Sequence, residues 1–120
     1  MNKRRLLLVD DEPEILELLT LSFPDFECEI ALNTVSALEI LGKVHIDVLI
    51  TDVKMPGESG LTLIERAKVM SPGLGVIVIT GHHQETPAEV KDKVHHWILK
   101  PFRRQAIREA VLSAFAEPER

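Results

Sequence analysis

A single cysteine among 120 residues, Cys28, leaves no disulfide to form within the chain, and that usage fits a reducing, cytoplasmic setting. Cys28 reads as a small buried apolar residue rather than a reactive thiol. Nowhere does an apolar run approach the length of a membrane span. Lys3-Arg4-Arg5 starts like the basic segment of a secretory signal. The apolar stretch behind it, Leu6-Leu7-Leu8-Val9, meets two aspartates after four residues, too short for a signal core. Positive charge is in deficit: 14 Lys and Arg stand against 19 Asp and Glu, a net charge of −5. Neither nucleic acid nor an anionic membrane is therefore an expected partner. Repeats, low-complexity tracts and linker-like stretches are lacking too, so residues 1–120 read as one domain. An apolar content of 45% supports a folded core.

What is present is a set of four short apolar runs, each ending in polar residues. Leu6–Val9 runs into Asp10-Asp11, Val48–Ile50 into Thr51-Asp52, Val76–Ile79 into Thr80, and Trp97–Leu99 into Lys100-Pro101. Buried parallel strands read this way, and function in open α/β sheets collects at their carboxyl ends. Strands are expected over 4–9, 46–51, 75–80 and 95–99. A further strand over 27–32 alternates, with Cys28, Ile30 and Leu32 on one face and glutamates on the other, as at a sheet edge. Between the strands lie helical patterns. Pro13 opens a helix over 13–23 that carries Ile15, Leu18, Leu19 and Ser22 on one stripe. Asn33 caps a helix over 34–41 that Gly42 ends, and Ser59 caps one over 60–70. Thr86-Pro87-Ala88-Glu89 opens a short polar helix with Val90 and Val94 as its apolar pair. The last helix covers about 103–115, with Ile107, Ala110, Val111 and Ala114 on one face.

Strict alternation of strand and helix predicts an α/β fold: a doubly wound, five-stranded parallel sheet in the order 2-1-3-4-5, with helices on both faces. In that order Asp10, Asp11 and Asp52 meet at one edge. Two like charges about 4 Å apart repel by roughly 4 kcal/mol at an effective dielectric near 20. Three carboxylates therefore need a cation or a raised pKa. Lys100 supplies one charge, and a hard divalent ion such as Mg²⁺ supplies more. A carboxylate set beside Mg²⁺, a lysine and a threonine hydroxyl can act as a nucleophile on phosphorus.

Asp10-Asp11, the segment Thr51-Asp52-Val53-Lys54-Met55-Pro56-Gly57-Glu58-Ser59-Gly60, Thr80-Gly81 and Lys100-Pro101-Phe102 resemble the receiver domain of bacterial two-component response regulators. The resemblance runs over nearly the whole chain. It implies a phosphoacceptor that takes a phosphoryl group on Asp52 from a histidine kinase or phosphotransfer protein. It implies Mg²⁺ held by Asp10, Asp11, Asp52 and the backbone carbonyl of Lys54, with Thr80 and Lys100 on the phosphoryl oxygens. Trp97 stands at the switch-aromatic position, and Lys100-Pro101 at the family's cis-proline bond. Downstream, the resemblance implies a target protein or a fused output domain, and it allows a homodimer through the output face. Lys54 and His82, each two residues past a site residue, are expected to tune dephosphorylation. On this resemblance the chain is a signalling switch that catalyses only its own phosphorylation and dephosphorylation.

The span from Thr80 to Lys100 is a little short for a receiver, and Val94-His95-His96 replaces the usual Gly-Ala. Both changes fall on the output face. Trp97 is bulkier than the usual Tyr or Phe, and Gly81 replaces a commoner alanine. Two other readings stay open: a Mg²⁺-dependent phosphatase with an aspartyl nucleophile, and a non-phosphorylated interaction module on the same scaffold. The phosphatase wants a second acid two residues after its nucleophile, where this chain has Lys54. His82, His83, His95 and His96 read as solvated loop and edge positions, since no helical i, i+4 histidine pair exists to bind zinc. Arg103, Arg104 and Arg108 read as a solvated helix face.

Overall fold

The computed structural model describes residues 4–55, 59–81 and 90–116. Its elements are β1 (Arg5–Val9), α1 (Pro13–Ser22), β2 (Glu27–Ala31), α2 (Thr34–Lys43), β3 (Val48–Asp52), α3 (Gly60–Met70), β4 (Gly75–Thr80), β5 (His96–Leu99) and α4 (Arg104–Ala116). The five strands are all parallel, in the order β2-β1-β3-β4-β5. The expected fold is therefore the observed one. The capping pattern at Thr86–Glu89 lies outside the described residues.

Side chains alternate across the sheet and divide the core in two. Leu6, Leu8, Val48, Ile50, Ile77 and Ile79 pack with Leu16, Leu19 and Phe23 of the α1 region and with Ile107 and Val111 of α4. Leu7, Val9, Leu49, Val76 and Val78 pack with Ala37 and Leu41 of α2 and with Leu63, Ile64 and Ala67 of α3. The apolar runs are continuous because both faces of the central strands are covered. Asn33 accepts a hydrogen bond from Ser36 N–H at 2.9 Å, and Ser59 accepts one from Thr62 N–H at 3.4 Å, so both caps are as expected.

Several expectations need correction. On α1, Leu19 and Ser22 are buried and Ile15 packs on the core as expected, but Leu16 is buried where Leu18 was expected, and Leu18 is 36% exposed. Ile30 on β2 and Leu32 just beyond it are 54% and 49% exposed while Ala31 is buried. As an edge strand, β2 has a neighbour on one side only; the layer over its Cys28 face packs on Cys28 but does not include Ile30. Gly42 does not end α2. The helix continues to Lys43, and Val44 N–H still bonds Ile40 O at 3.0 Å. A Cβ at Gly42 would meet Met70 Cε at an ordinary 3.9 Å, so no left-handed stop is imposed there.

The arginines of α4 are not simply solvated. Arg104 donates to Leu21 O at 2.8 Å. Arg108 donates to Ser22 O at 2.8 Å and grips Asp25 through both terminal nitrogens at 2.8 and 3.0 Å. These guanidinium groups satisfy carbonyls at the carboxyl end of α1, where the helix dipole favours positive charge. His95 is half-buried rather than solvated. Its Nδ1 accepts Val76 N–H at 3.1 Å, while its own N–H bonds Val76 O at 2.8 Å, tying the start of β5 to β4. His96 is also half-buried on β5.

Candidate functional site

Parallel order places the carboxyl ends of β1, β3, β4 and β5 side by side, and each end carries one polar group. Asp10 follows β1 and is fully buried; its N–H bonds Ala31 O at 3.2 Å, which fixes it against β2. Asp52 closes β3 and Thr80 closes β4, both buried. Lys100 directly follows β5, and the bond from it to Pro101 is cis. The Lys100 N–H bonds Thr80 O at 2.7 Å, which pins the lysine backbone beside the threonine.

The Lys100 ammonium is the hub. Its Nζ lies 2.8 Å from Asp52 Oδ2, 2.9 Å from Asp10 Oδ2 and 3.1 Å from Glu12 Oε1, with only 14% of the side chain exposed. Burial tends to lower the lysine pKa, but the close carboxylates of Asp52, Asp10 and Glu12 outweigh it and raise the pKa well above the ordinary lysine range. The other oxygen of Asp52, Oδ1, accepts Lys54 N–H at 3.0 Å. That bond aims the carboxylate along the start of the loop after β3. Val53 and Met55 are buried, and the Lys54 side chain is exposed.

Asp10 Oδ1 accepts Glu12 N–H at 2.9 Å. Its Oδ2 faces Lys100 off the hydrogen-bond direction and has no hydrogen-bond donor among the described residues. Asp11 is exposed at the same mouth and does not cap α1; Glu12 occupies that N-cap position, and its side chain makes no cap bond. Asp10, Asp11, Glu12 and Asp52 each offer a carboxylate oxygen, all within 4.8 Å of one another. A buried carboxylate oxygen without a donor, among four hard oxygen ligands, suits Mg²⁺. Among the described residues no histidine or cysteine joins such a cluster.

Burial pushes the Asp10 pKa up, and the Glu12 N–H and Lys100 only partly offset it. A carboxyl raised in the fold binds more protons there than in the unfolded chain. Stability therefore falls as pH rises from the ordinary carboxylate range through the raised value, and the cost is complete above it. Asp10→Asn is expected to stabilise the domain at pH 7 and to lose that advantage as pH falls through this window. Urea midpoints measured for both proteins from pH 4 to 8 check this; parallel curves would contradict it.

Trp97 pairs in register with Val78 and packs against the core cluster that contains Val78 and Val90. Its indole Nε1 is buried without a hydrogen-bond partner among the described residues. His82 lies outside the described residues. Two features escaped sequence reasoning. One is the Glu12–Lys100 ion pair, which joins residues 88 positions apart. The other is the tightness at Gly60, whose N–H bonds Val53 O at 3.1 Å. A Cβ there would lie 2.7 Å from Val53 Cα and closer still to the Asp52 carbonyl oxygen.

The fold is an α/β domain with an acidic pocket at the carboxyl ends of its strands, and the chain belongs to the response regulator receiver domain family, whose model matches residues 6–112. It is 32% identical over 118 residues to the response regulator protein PilR of Pseudomonas aeruginosa, covering 95% of this chain and 26% of that protein. It is 31% identical over 117 residues to sporulation initiation phosphotransferase F of Bacillus subtilis, covering 92% and 93% of the two chains. The chain thus spans about a quarter of PilR and nearly all of the phosphotransferase. Among solved structures, a receiver domain protein from Clostridium thermocellum superposes with a TM-score of 0.86 at 28% identity, over 94% of each chain. The response regulator TrrA of Thermotoga maritima, solved with Mg²⁺ and BeF, superposes with a TM-score of 0.78 at 27% identity, over 92% of this chain and 98% of its own. Receiver domains are signalling switches that bind Mg²⁺ in an acidic pocket, interact with histidine kinases and phosphotransfer proteins, and occur fused to output domains. No helix among the described residues is long and apolar enough to cross a membrane.

Proposed function

We propose that Asp52 accepts a phosphoryl group from the phosphohistidine of a cytoplasmic histidine kinase or phosphotransfer protein, with residues 1–120 acting as a single receiver unit. The observation that carries this reading is the buried Asp52 carboxylate held 2.8 Å from Lys100 among Asp10, Asp11 and Glu12. A carboxylate oxygen of Asp52 forms the new O–P bond as the N–P bond to the donor imidazole breaks. The departing ring nitrogen takes a proton from solvent. Lys54 N–H keeps the other oxygen in place. Lys100 neutralises one phosphoryl oxygen, and the Thr80 hydroxyl donates to another. Asp10, Asp11, Asp52 and the Lys54 carbonyl would hold Mg²⁺, which supplies charge neutralisation to the phosphoryl group. Half-buried Ile15 and exposed Leu18 on α1, just beyond the acids, offer the donor an apolar contact.

Phosphorylation adds about −1.5 to −2 charges at the carboxyl end of β3. Thr80 is drawn to that charge, and Trp97, on the neighbouring strand, repacks and alters the face around β5 and α4 that a target or fused output domain reads. The exposed Lys54 side chain, beside the approach to Asp52, tunes how fast water removes the phosphoryl group. It also stands where a phosphatase would need its acid, so turnover of small phosphate esters is not expected. Trp97 is the sole tryptophan and reports the switch directly. Beryllofluoride with Mg²⁺ is expected to shift its fluorescence in the wild type and not in Asp52→Asn. An unchanged wild-type spectrum would contradict the proposed switch.

A further inference from the structure

We propose that Glu12 is a positioning residue for Lys100, one that holds the ammonium in the resting domain and must release it when a phosphoryl group arrives. This rests on the receiver reading of Asp52. A lysine ammonium has three N–H donors, and here three carboxylates surround it: Asp52, Asp10 and Glu12. Asp52 Oδ2 and Glu12 Oε1 take two of those donors, and Asp10 Oδ2 at 2.9 Å crowds the remaining side of the ammonium, so a phosphoryl oxygen competes with these carboxylates for it.

The three are not equally able to yield. Asp10 is fully buried and anchored by Glu12 N–H at 2.9 Å. Asp52 is buried, anchored by Lys54 N–H at 3.0 Å, and is itself the acceptor. The Glu12 side chain is 55% exposed, and its carboxylate has Lys100 as its sole partner among the described residues. It is therefore the contact that breaks at least cost. The lysine backbone is pinned to Thr80 O at 2.7 Å, so the change is confined to side chains.

Local structure points the same way. Glu12 occupies the N-cap of α1, where Ser, Thr, Asp or Asn usually bonds the first helical N–H groups. Its side chain makes no such bond and reaches across to Lys100 instead. The cap interaction is forgone in favour of the lysine. The result is a modest threshold on anion binding, set by an exposed acid at the rim of the site.

The test is calorimetric titration of the wild type, Glu12→Gln and Glu14→Gln with Mg²⁺ alone, and with beryllofluoride at saturating Mg²⁺. Glu14, in the first turn of α1, carries the same charge without an ion pair to Lys100. Glu12→Gln is expected to bind beryllofluoride about three-fold more tightly, the scale of one partly exposed ion pair. Its Mg²⁺ affinity should change no more than that of Glu14→Gln, and Glu14→Gln should bind beryllofluoride like the wild type. Loss of fold would weaken both ligands together, so the opposite movement of one ligand is a local effect. Equal gains in the two variants would reduce Glu12 to a long-range charge and overturn the proposal. An unchanged beryllofluoride affinity in Glu12→Gln would overturn it as well. Weaker Mg²⁺ and beryllofluoride binding in Glu12→Gln alone, with its fold shown intact by circular dichroism, would make Glu12 a metal ligand and also overturn it. A wild type that binds no beryllofluoride would overturn the receiver reading of Asp52 itself, a failure distinct from the other three.

Discussion

Lys100→Met is expected to cost the domain about 3 kcal/mol of stability at neutral pH without divalent cation, the scale of removing one partner from a buried ion pair. The methionine fills much of the same space, so the loss is electrostatic. It leaves Asp10 and Asp52, both buried, with Asp11 and Glu12 beside them and no cation. Lys100 is one of the influences that hold the Asp10 pKa down against burial, and without it that pKa moves further up. A carboxyl raised in the fold costs most above its folded pKa and least below its unfolded one. The deficit of Lys100→Met should therefore shrink as pH falls from 7.5 toward 4. Urea unfolding of both proteins in chelator across that range measures it. A loss under about 1 kcal/mol, or one that does not change with pH, would contradict the hub role of the ammonium.

Gly60→Ala is expected to be as damaging by a different route. The new methyl would sit 2.7 Å from Val53 Cα and closer to the Asp52 carbonyl oxygen. Backbone cannot swing aside as a side chain can, so the start of α3 or the end of β3 must move. Overpacking of this kind costs about 3 kcal/mol. The displaced segment is the one that carries Asp52 and the Lys54 N–H that orients it. Phosphorylation should therefore slow even at temperatures where the variant is folded. Thermal unfolding and phosphorylation rate are the two readouts. A variant within about 1 kcal/mol of the wild type would show that the approach is looser than described.

The carboxyl-end residues were legible because the central strands are covered on both faces. Each reads as an unbroken apolar run, and the polar residues that end it mark the site. Strand order followed from the alternating pattern of β2, which only an edge tolerates. Legibility failed where position depends on a distant partner. The rotation of α1 is set by how Leu16, Leu19 and Phe23 meet α4, and local spacing put Leu18 on the buried stripe in place of Leu16. Arg108 looked solvated because Asp25 and Ser22 O lie 83 and 86 positions away. Glu12 gave one local hint, an N-cap position without a capping side chain. Gly42 misled because a glycine within a helix and a glycine ending one look alike in sequence, and Lys43 and Val44 decide between them through a bond to Ile40 O.

The central claim is that Asp52 is a phosphoacceptor. It is tested most directly by incubating the protein with Mg²⁺ and a small phosphodonor such as acetyl phosphate, then locating added phosphate by intact-mass and peptide mass spectrometry. The account predicts one phosphoryl group on the peptide carrying Asp52, lost when chelator replaces Mg²⁺ and absent in Asp52→Asn. No added phosphate on the wild type, or the same phosphate on Asp52→Asn, would contradict it.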